Sequence, residues 1–265
     1  MTLTTHGMLA GKRVRRLGFG TMRLTGPGIW GPPGDEKNAI QVLRTAVVSG
    51  VQHIDTADAY GPHDVETLIR KALHPYADDL IIATKGGFTR QGPGRWTPCG
   101  VPAYLRQCVE LSLRRLGVDA IDLYYLHRVD PNVPLADQVG ELEQLRTEGK
   151  IKALGLSKIT IAQIVEAAKI APIAAVQNSF SLLNAESDDV VRWCEKNEIA
   201  FVPYAPLGAG RCLEHGEHTD NARSVTPHGA LRWLLERSPA MFPIPGTSSV
   251  EHLAENMKAD DERVV

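Results

Sequence analysis

The segment Asp55-Thr-Ala-Asp-Ala-Tyr60-Gly61 sets a carboxylate five residues ahead of a tyrosine hydroxyl, and Lys85 and His127 each close an apolar run further along the chain. Together these groups can do acid–base chemistry. A buried Asp55–Lys85 pair beside the Tyr60 phenol is expected to lower its pKa from the reference near 10. A phenol tuned in this way can give its proton to a carbonyl oxygen as negative charge develops there. His127 can direct an N–H, or an imidazolium, at the same oxygen. Ser157, Gln177–Asn178 and Tyr204 close three further apolar runs, so six consecutive runs end in groups that ionise or hydrogen-bond.

Such a constellation needs elements that point one end of each run at a common place. Eight short apolar runs rich in β-branched and aromatic residues recur along the chain: 17–22, 51–56, 80–85, 120–127, 151–157, 173–178, 199–204 and 241–246. None alternates strictly with polar residues, as expected of parallel strands covered on both faces. Helical spacing of apolar residues predicts helices over 35–49, 64–73, 102–116, 135–148, 160–170, 187–197, 227–237 and 250–258.

Eight alternating βα units in 265 residues predict an α/β fold, a (β/α)8 TIM barrel forming a single domain over residues 1–265. A doubly wound sheet is disfavoured because Gly18-Phe-Gly20 lacks a third glycine and does not open a helix. Met8–Leu9 and Val14–Arg15, around Ala10-Gly11-Lys12, predict an N-terminal β-hairpin that plugs the barrel bottom. Catalytic groups of such barrels gather at the C-terminal strand ends.

Composition narrows the partners. A formal net charge of −2, with 43% hydrophobic and 23% charged residues, argues against nucleic-acid or anionic-membrane partners, which need a basic excess. No apolar stretch approaches the roughly 20 residues of a membrane span. Cys99, Cys108, Cys194 and Cys212 show no metal-ligand or CxxC spacing and read as free thiols. With no secretory signal pattern at the N-terminus, the expectation is a cytoplasmic, monomeric protein acting on a small molecule.

The chain resembles the aldo-keto reductase superfamily from Arg16 to Asn256. The carrying segments are Leu17-Gly-Phe-Gly-Thr-Met22, His53-Ile-Asp-Thr-Ala-Asp-Ala-Tyr-Gly61, Ala83-Thr-Lys85, Asp122-Leu-Tyr-Tyr-Leu-His127, Gly155-Leu-Ser157, Gln177-Asn178, Tyr204-Ala-Pro-Leu-Gly208 and Ile244-Pro-Gly-Thr-Ser-Ser249. The resemblance implies an oxidoreductase that reduces aldehydes and ketones by direct hydride transfer from NAD(P)H, with no metal. It implies Tyr60 as general acid, Lys85 and Asp55 as its tuning pair, and His127 as the group that orients the carbonyl. Cofactor contacts are implied for Gly20, Thr21, Met22 and Asp55. Ser157, Lys158 and Gln177 would sit at the carboxamide, Tyr204 on the nicotinamide, and Pro206, Leu207, Gly208 and Gly210 over the pyrophosphate. Gly246, Thr247, Ser248, His252, Glu255 and Asn256 complete the cofactor set.

Two positions depart from the family pattern. Lys158 stands where Asn commonly holds the carboxamide, which implies weaker or reoriented cofactor binding because lysine has no acceptor. Gly246 and His252 stand where NADPH-preferring relatives carry Lys and Arg. Thr247, Ser248 and the following helix N-terminus can still receive a phosphate, so NADPH is favoured over NADH.

Trp30, Phe88, Trp96 and Arg128 are candidate substrate-pocket walls. Rival readings are a metal-dependent barrel hydrolase using Asp55, His127 and Asp130, and a cofactor-binding regulatory barrel with little turnover. A serine hydrolase at Ser157 lacks the glycine that should follow the nucleophile. A short C-terminal tail is expected to leave the mouth open and permissive toward medium-sized carbonyl compounds.

Overall fold

A computed structural model describes residues 3–208 and 226–260. Seven parallel strands form one curled sheet: β3 (Phe19–Gly20), β4 (His53–Asp55), β5 (Ile81–Gly86), β8 (Ile121–Leu126), β9 (Ile151–Ser157), β10 (Ile173–Gln177) and β11 (Ala200–Phe201). Hydrogen-bonded neighbours run in the order β11-β10-β9-β8-β5-β4-β3.

The eighth expected strand, 241–246, closes the ring without forming a regular ladder. Phe242 donates to Phe201 at 2.8 Å on one side, while Gly18 and Gly20 donate to Pro243 and Pro245 at 2.9 and 3.0 Å on the other. Prolines 243 and 245 have no N–H to return. The segment therefore accepts on that side and does not donate, and the barrel is complete.

Helices wrap the outside: α1 (Glu36–Val48), α2 (Asp64–Leu73), α3 (Pro102–Leu116), α4 (Leu135–Thr147), α5 (Ile161–Ala167), α6 (Asp188–Lys196), α7 (Pro227–Arg237) and α8 (Val250–Met257). Their buried stripes pack on outward-facing strand residues such as Ile54, Ile82, Tyr124 and Val176. The chain is thus an eight-fold β/α barrel, as the run spacing predicts.

A separate inner core of Ile81, Ala83, Leu123, Tyr125, Ala175, Val202, Phe242 and Ile244 fills the barrel. Leu9 and Val14, from the hairpin β1 (His6–Leu9) and β2 (Lys12–Arg15), belong to that inner core. They close its bottom. The hairpin turns at Ala10 and Gly11, both at positive φ (48° and 79°), as a two-residue turn with the strands' own twist requires.

Side chains alternate across a strand, and this rule aims the site. Ala83 and Tyr125 face inward, so Lys85 and His127, two residues on, face the barrel mouth. Ala175 places Gln177 in the same way. Gly155 is demanded by its neighbour: a Cβ there would lie 2.3 Å from the Tyr125 ring.

One element was not expected. Phe88–Arg90 (β6) and Trp96–Pro98 (β7) pair as an antiparallel hairpin beyond β5 and overhang the mouth.

Candidate active site

Four side chains meet at the top of the inner core: Asp55, Tyr60, Lys85 and His127 are all at most 8% exposed. Lys85 Nζ donates to Asp55 Oδ1 at 2.5 Å and to the Thr56 carbonyl at 2.7 Å. The same ammonium interacts electrostatically with the Tyr60 hydroxyl and lies 5.3 Å from the centroid of its ring. Asp55 is held on its other oxygen by Gln177 Nε2 at 2.8 Å. The 56–61 loop is pinned to β5 through Thr56 N to Ala83 O (2.8 Å) and Asp58 N to Lys85 O (3.0 Å). Tyr60 therefore returns over the lysine.

The electrostatics amend one expectation. Burial holds the Tyr60 phenol above its ordinary value, with Asp55 adding to that effect; Lys85 and Arg128 pull it down without prevailing. The net shift is upward, opposite to the expected lowering, because the phenol is removed from water. It stays protonated at neutral pH. Burial opposes charge on Lys85, but Asp55 and Tyr60 outweigh it and keep the ammonium above its ordinary value. His127 is pushed well below 6.5 by burial, reinforced by Lys85, Arg128 and Arg90. Of the two forms expected, the neutral imidazole is therefore the one present. Its Nδ1 is buried and has no partner among the described residues.

These groups lie at one end of a cavity of about 740 Å³, large enough for a cofactor and a small substrate. Phe88, Trp96, Arg128 and Ile29 line the mouth beside Tyr60 and His127. His127 packs edge-on against Phe88 (centroids 4.7 Å apart), Tyr60 (6.0 Å) and Trp96 (6.3 Å). The other end is lined by Gly20, Thr21, Met22, Arg23, Gly246, Thr247, Ser248 and His252. There the backbones of Gly20 and Gly246 touch: a Cβ on either would lie 2.7 or 2.6 Å from a backbone oxygen of the opposing strand. The result is a floor without side chains. Ser249 caps helix α8 through a bond from His252 N at 3.2 Å, which presents a helix N-terminus to the same end. A bare floor and a helix terminus suit a dinucleotide phosphate, and the Tyr60 and His127 side chains lining the far end suit a carbonyl. The residues present fit a nicotinamide dinucleotide.

Most expected site residues line this cavity. Besides those named, Asp55, Ser157, Gln177, Tyr204, Pro206 and Leu207 do so. Several do not. Lys158, at φ +52°, turns out to solvent and is not among the lining residues. Trp30 is 37% exposed and off the cavity wall, where its neighbour Ile29 takes the place. Glu255 accepts bonds from His228 and Lys258 on the outer surface, and Asn256 and Gly208 are buried away from the cavity. Gly210 and Cys212 lie outside the described residues. Lys85 is not among the lining residues and lies behind Asp55 and Tyr60.

Arg23, Ile29, Ala205, Ile244 and Pro245 line the cavity without having been expected there. Arg23 follows the Gly-Thr-Met run directly, which was the signal available for it. Asp130, named for a metal site, spends its oxygens on Gly100 N and Asn132 N (both 2.9 Å) and does not line the cavity.

The chain is similar to several known proteins. An oxidoreductase of Schizosaccharomyces pombe is 48% identical over 250 residues, covering 93% of this chain and 81% of that protein. Pyridoxine 4-dehydrogenase of Escherichia coli is 44% identical over 261 residues, covering 95% and 91%. The crystal structure of an aldo-keto reductase from Klebsiella pneumoniae in complex with NADPH superposes with a TM-score of 0.80 at 26% identity, covering 100% of this chain and 92% of that one. The Aldo/keto reductase family profile matches residues 16–229, and with the barrel and the mouth described above the chain belongs to that family of oxidoreductases.

Proposed function

We propose that this protein reduces aldehydes and ketones to alcohols, with Tyr60 as proton donor and His127 as the group that orients the carbonyl oxygen. The supporting observation is the contiguous group of Asp55, Lys85 and Tyr60, which meets the neutral imidazole of His127 at the cavity wall. NADPH, when bound, supplies the hydride to the carbonyl carbon. Tyr60 then gives its proton to the oxygen, and the positive Lys85 stabilises the phenolate left behind. The neutral His127 donates a hydrogen bond to that oxygen without carrying charge into the site. Asp55 keeps Lys85 oriented and ionised. Ser157 and Gln177 would hold the carboxamide and Tyr204 would cover the ring, since all three line the cavity.

Thr247, Ser248 and the α8 N-terminus, joined by Arg23, support NADPH over NADH. The pyridoxine 4-dehydrogenase relative puts pyridoxal first among the aldehydes to assay. The protein is read as a cytoplasmic monomer. NADPH oxidation over an aldehyde panel, with Tyr60→Phe run beside the parent protein, tests the reading. Loss of turnover by at least a thousandfold with NADPH binding retained supports it; turnover within tenfold of the parent overturns Tyr60 as the donor.

A further inference from the structure

Among the described residues Arg128 has no carboxylate opposite it. Arg16 and Arg90 share that feature but spend all their guanidinium nitrogens on backbone carbonyls, and the other partly buried cations are paired. Lys85 faces Asp55, Arg115 faces Glu66 at 2.6 Å, and Arg15 faces Asp260. Arg128 makes two bonds, both from Nη1, to the His127 carbonyl (2.6 Å) and to Ser157 Oγ (2.9 Å). Among the described residues neither Nε nor Nη2 has an acceptor, and no carboxylate is paired with the group. Among the described residues the only acid lining the cavity is Asp55, already committed to Lys85 and Gln177.

The unused atoms form one edge of the guanidinium. Nε–H and Nη2–H point in parallel and match the two oxygens of a carboxylate. This molecule uses that edge elsewhere: Arg146 places Nε and Nη2 on Glu143 at 2.7 Å each. Arg128 is also held in place beforehand. Its Cζ lies 5.8 Å from the Phe88 ring and 5.6 Å from the Tyr204 ring, and Nη1 is tied to the wall, so little side-chain freedom is left to lose on binding. Burial disfavours its charge, a cost that persists until an anion arrives. A desolvated cation without a counter-ion in a cleft marks a ligand site.

We propose that Arg128 is a specificity-determining anion subsite, which selects carbonyl substrates carrying a carboxylate or another anionic oxygen within reach of the Tyr60–His127 end. This rests on the reductase reading above. Arg128 touches the substrate's anionic group and takes no part in proton or hydride transfer, so its contribution falls on KM rather than kcat.

Steady-state kinetics at saturating NADPH with 4-carboxybenzaldehyde and its methyl ester test the subsite, since the two differ in charge but little in shape or carbonyl reactivity. A 4-formylphenyl phosphate arm separates carboxylate from phosphate recognition. The parent protein is expected to favour the carboxylate at least tenfold in kcat/KM, through KM. Arg128→Gln brings the ratio near one, and Arg128→Lys leaves it between the two. A parent ratio below two, or one that Arg128→Gln does not change, overturns the proposal. So does a loss of NADPH affinity in Arg128→Gln equal to the loss for the carboxylate, which would assign the group to the cofactor.

Binding of 4-(hydroxymethyl)benzoate and of its methyl ester to the NADP complex, read by calorimetry, separates this proposal from the reductase reading. Failure to reduce any aldehyde would sink the latter. Equal binding of acid and ester would sink the subsite, whether or not turnover occurs.

Discussion

The Arg90 guanidinium sits 3.6 Å from the centroid of the Trp96 ring. It also donates from Nη1 to the carbonyls of Ala59 and Ile29 and from Nη2 to that of Gly28. One side chain on β6 thus ties together the hairpin, the loop before α1 and the residue next to Tyr60. Trp96 in turn stands edge-on to Tyr60, with centroids 6.4 Å apart. Arg90→Met keeps length and removes every donor. Charged hydrogen bonds of this kind are worth about 2 kcal/mol, so Tm should fall by roughly 4–8 °C. KM for aromatic aldehydes should rise about tenfold as the wall loosens. Calorimetry and initial rates check both, and an unchanged KM would show that the clamp does not shape the pocket.

The pH profile of reduction should be level across the neutral range. Tyr60 titrates above its ordinary 10 and His127 well below 6.5. From pH 6 to 9 the phenol keeps its proton and the imidazole stays neutral. kcat/KM for a non-ionising aldehyde should therefore vary less than twofold over that interval. A fall centred near pH 6.5 would mean that His127 titrates there.

Asp58 predicts a pH-dependent stability. Its carboxyl lies fully buried behind the catalytic loop, and burial, with Glu66 adding to it, pushes its pKa up from 3.8 to about 7. Below pH 4 both folded and unfolded chains hold the proton and there is no penalty. Between about 4 and 7 only the unfolded chain ionises, so stability declines as pH rises. Above 7 the full cost is reached, about 4 kcal/mol for a shift of this size. Asp58→Asn should remove that slope: the drop in Tm between pH 5 and 8 seen in the parent should shrink by more than half. An equal drop in both proteins would remove Asp58 from the account.

The bare floor of the cavity predicts a sharp contrast among glycines. Gly246→Ala and Gly20→Ala each drive a methyl group into a backbone oxygen, an overpacking cost of about 1–3 kcal/mol. NADPH affinity should weaken at least tenfold in each. Gly34→Ala meets nothing within 4 Å and should bind NADPH like the parent. Fluorescence titration decides, and tight binding by Gly246→Ala would move the cofactor away from this floor.

Much of this was legible along the chain. Inward alternation made Lys85, His127 and Gln177 predictable as a layer, because period two leaves a strand residue only one face to occupy. All eight helices begin within one residue of the expected start. The eighth barrel position was legible as an apolar run but not as an irregular one; Pro243 and Pro245 deny it a full ladder. The β6–β7 hairpin escaped notice because Gln91-Gly-Pro-Gly-Arg95 reads as loop and its flanks are short.

The order of strand-end groups, the glycine positions and the patterning of the core were properties of the chain itself, set by local sterics and by which residues can leave water. What the fold alone decided were net charges and vacancies. Tyr60 rises rather than falls, Lys158 turns outward, and Arg128 faces no acid among the described residues, because each outcome depends on how far a group is buried and on what lies across the cavity. Those distances are fixed by barrel closure among residues far apart in the chain, and no local spacing encodes them.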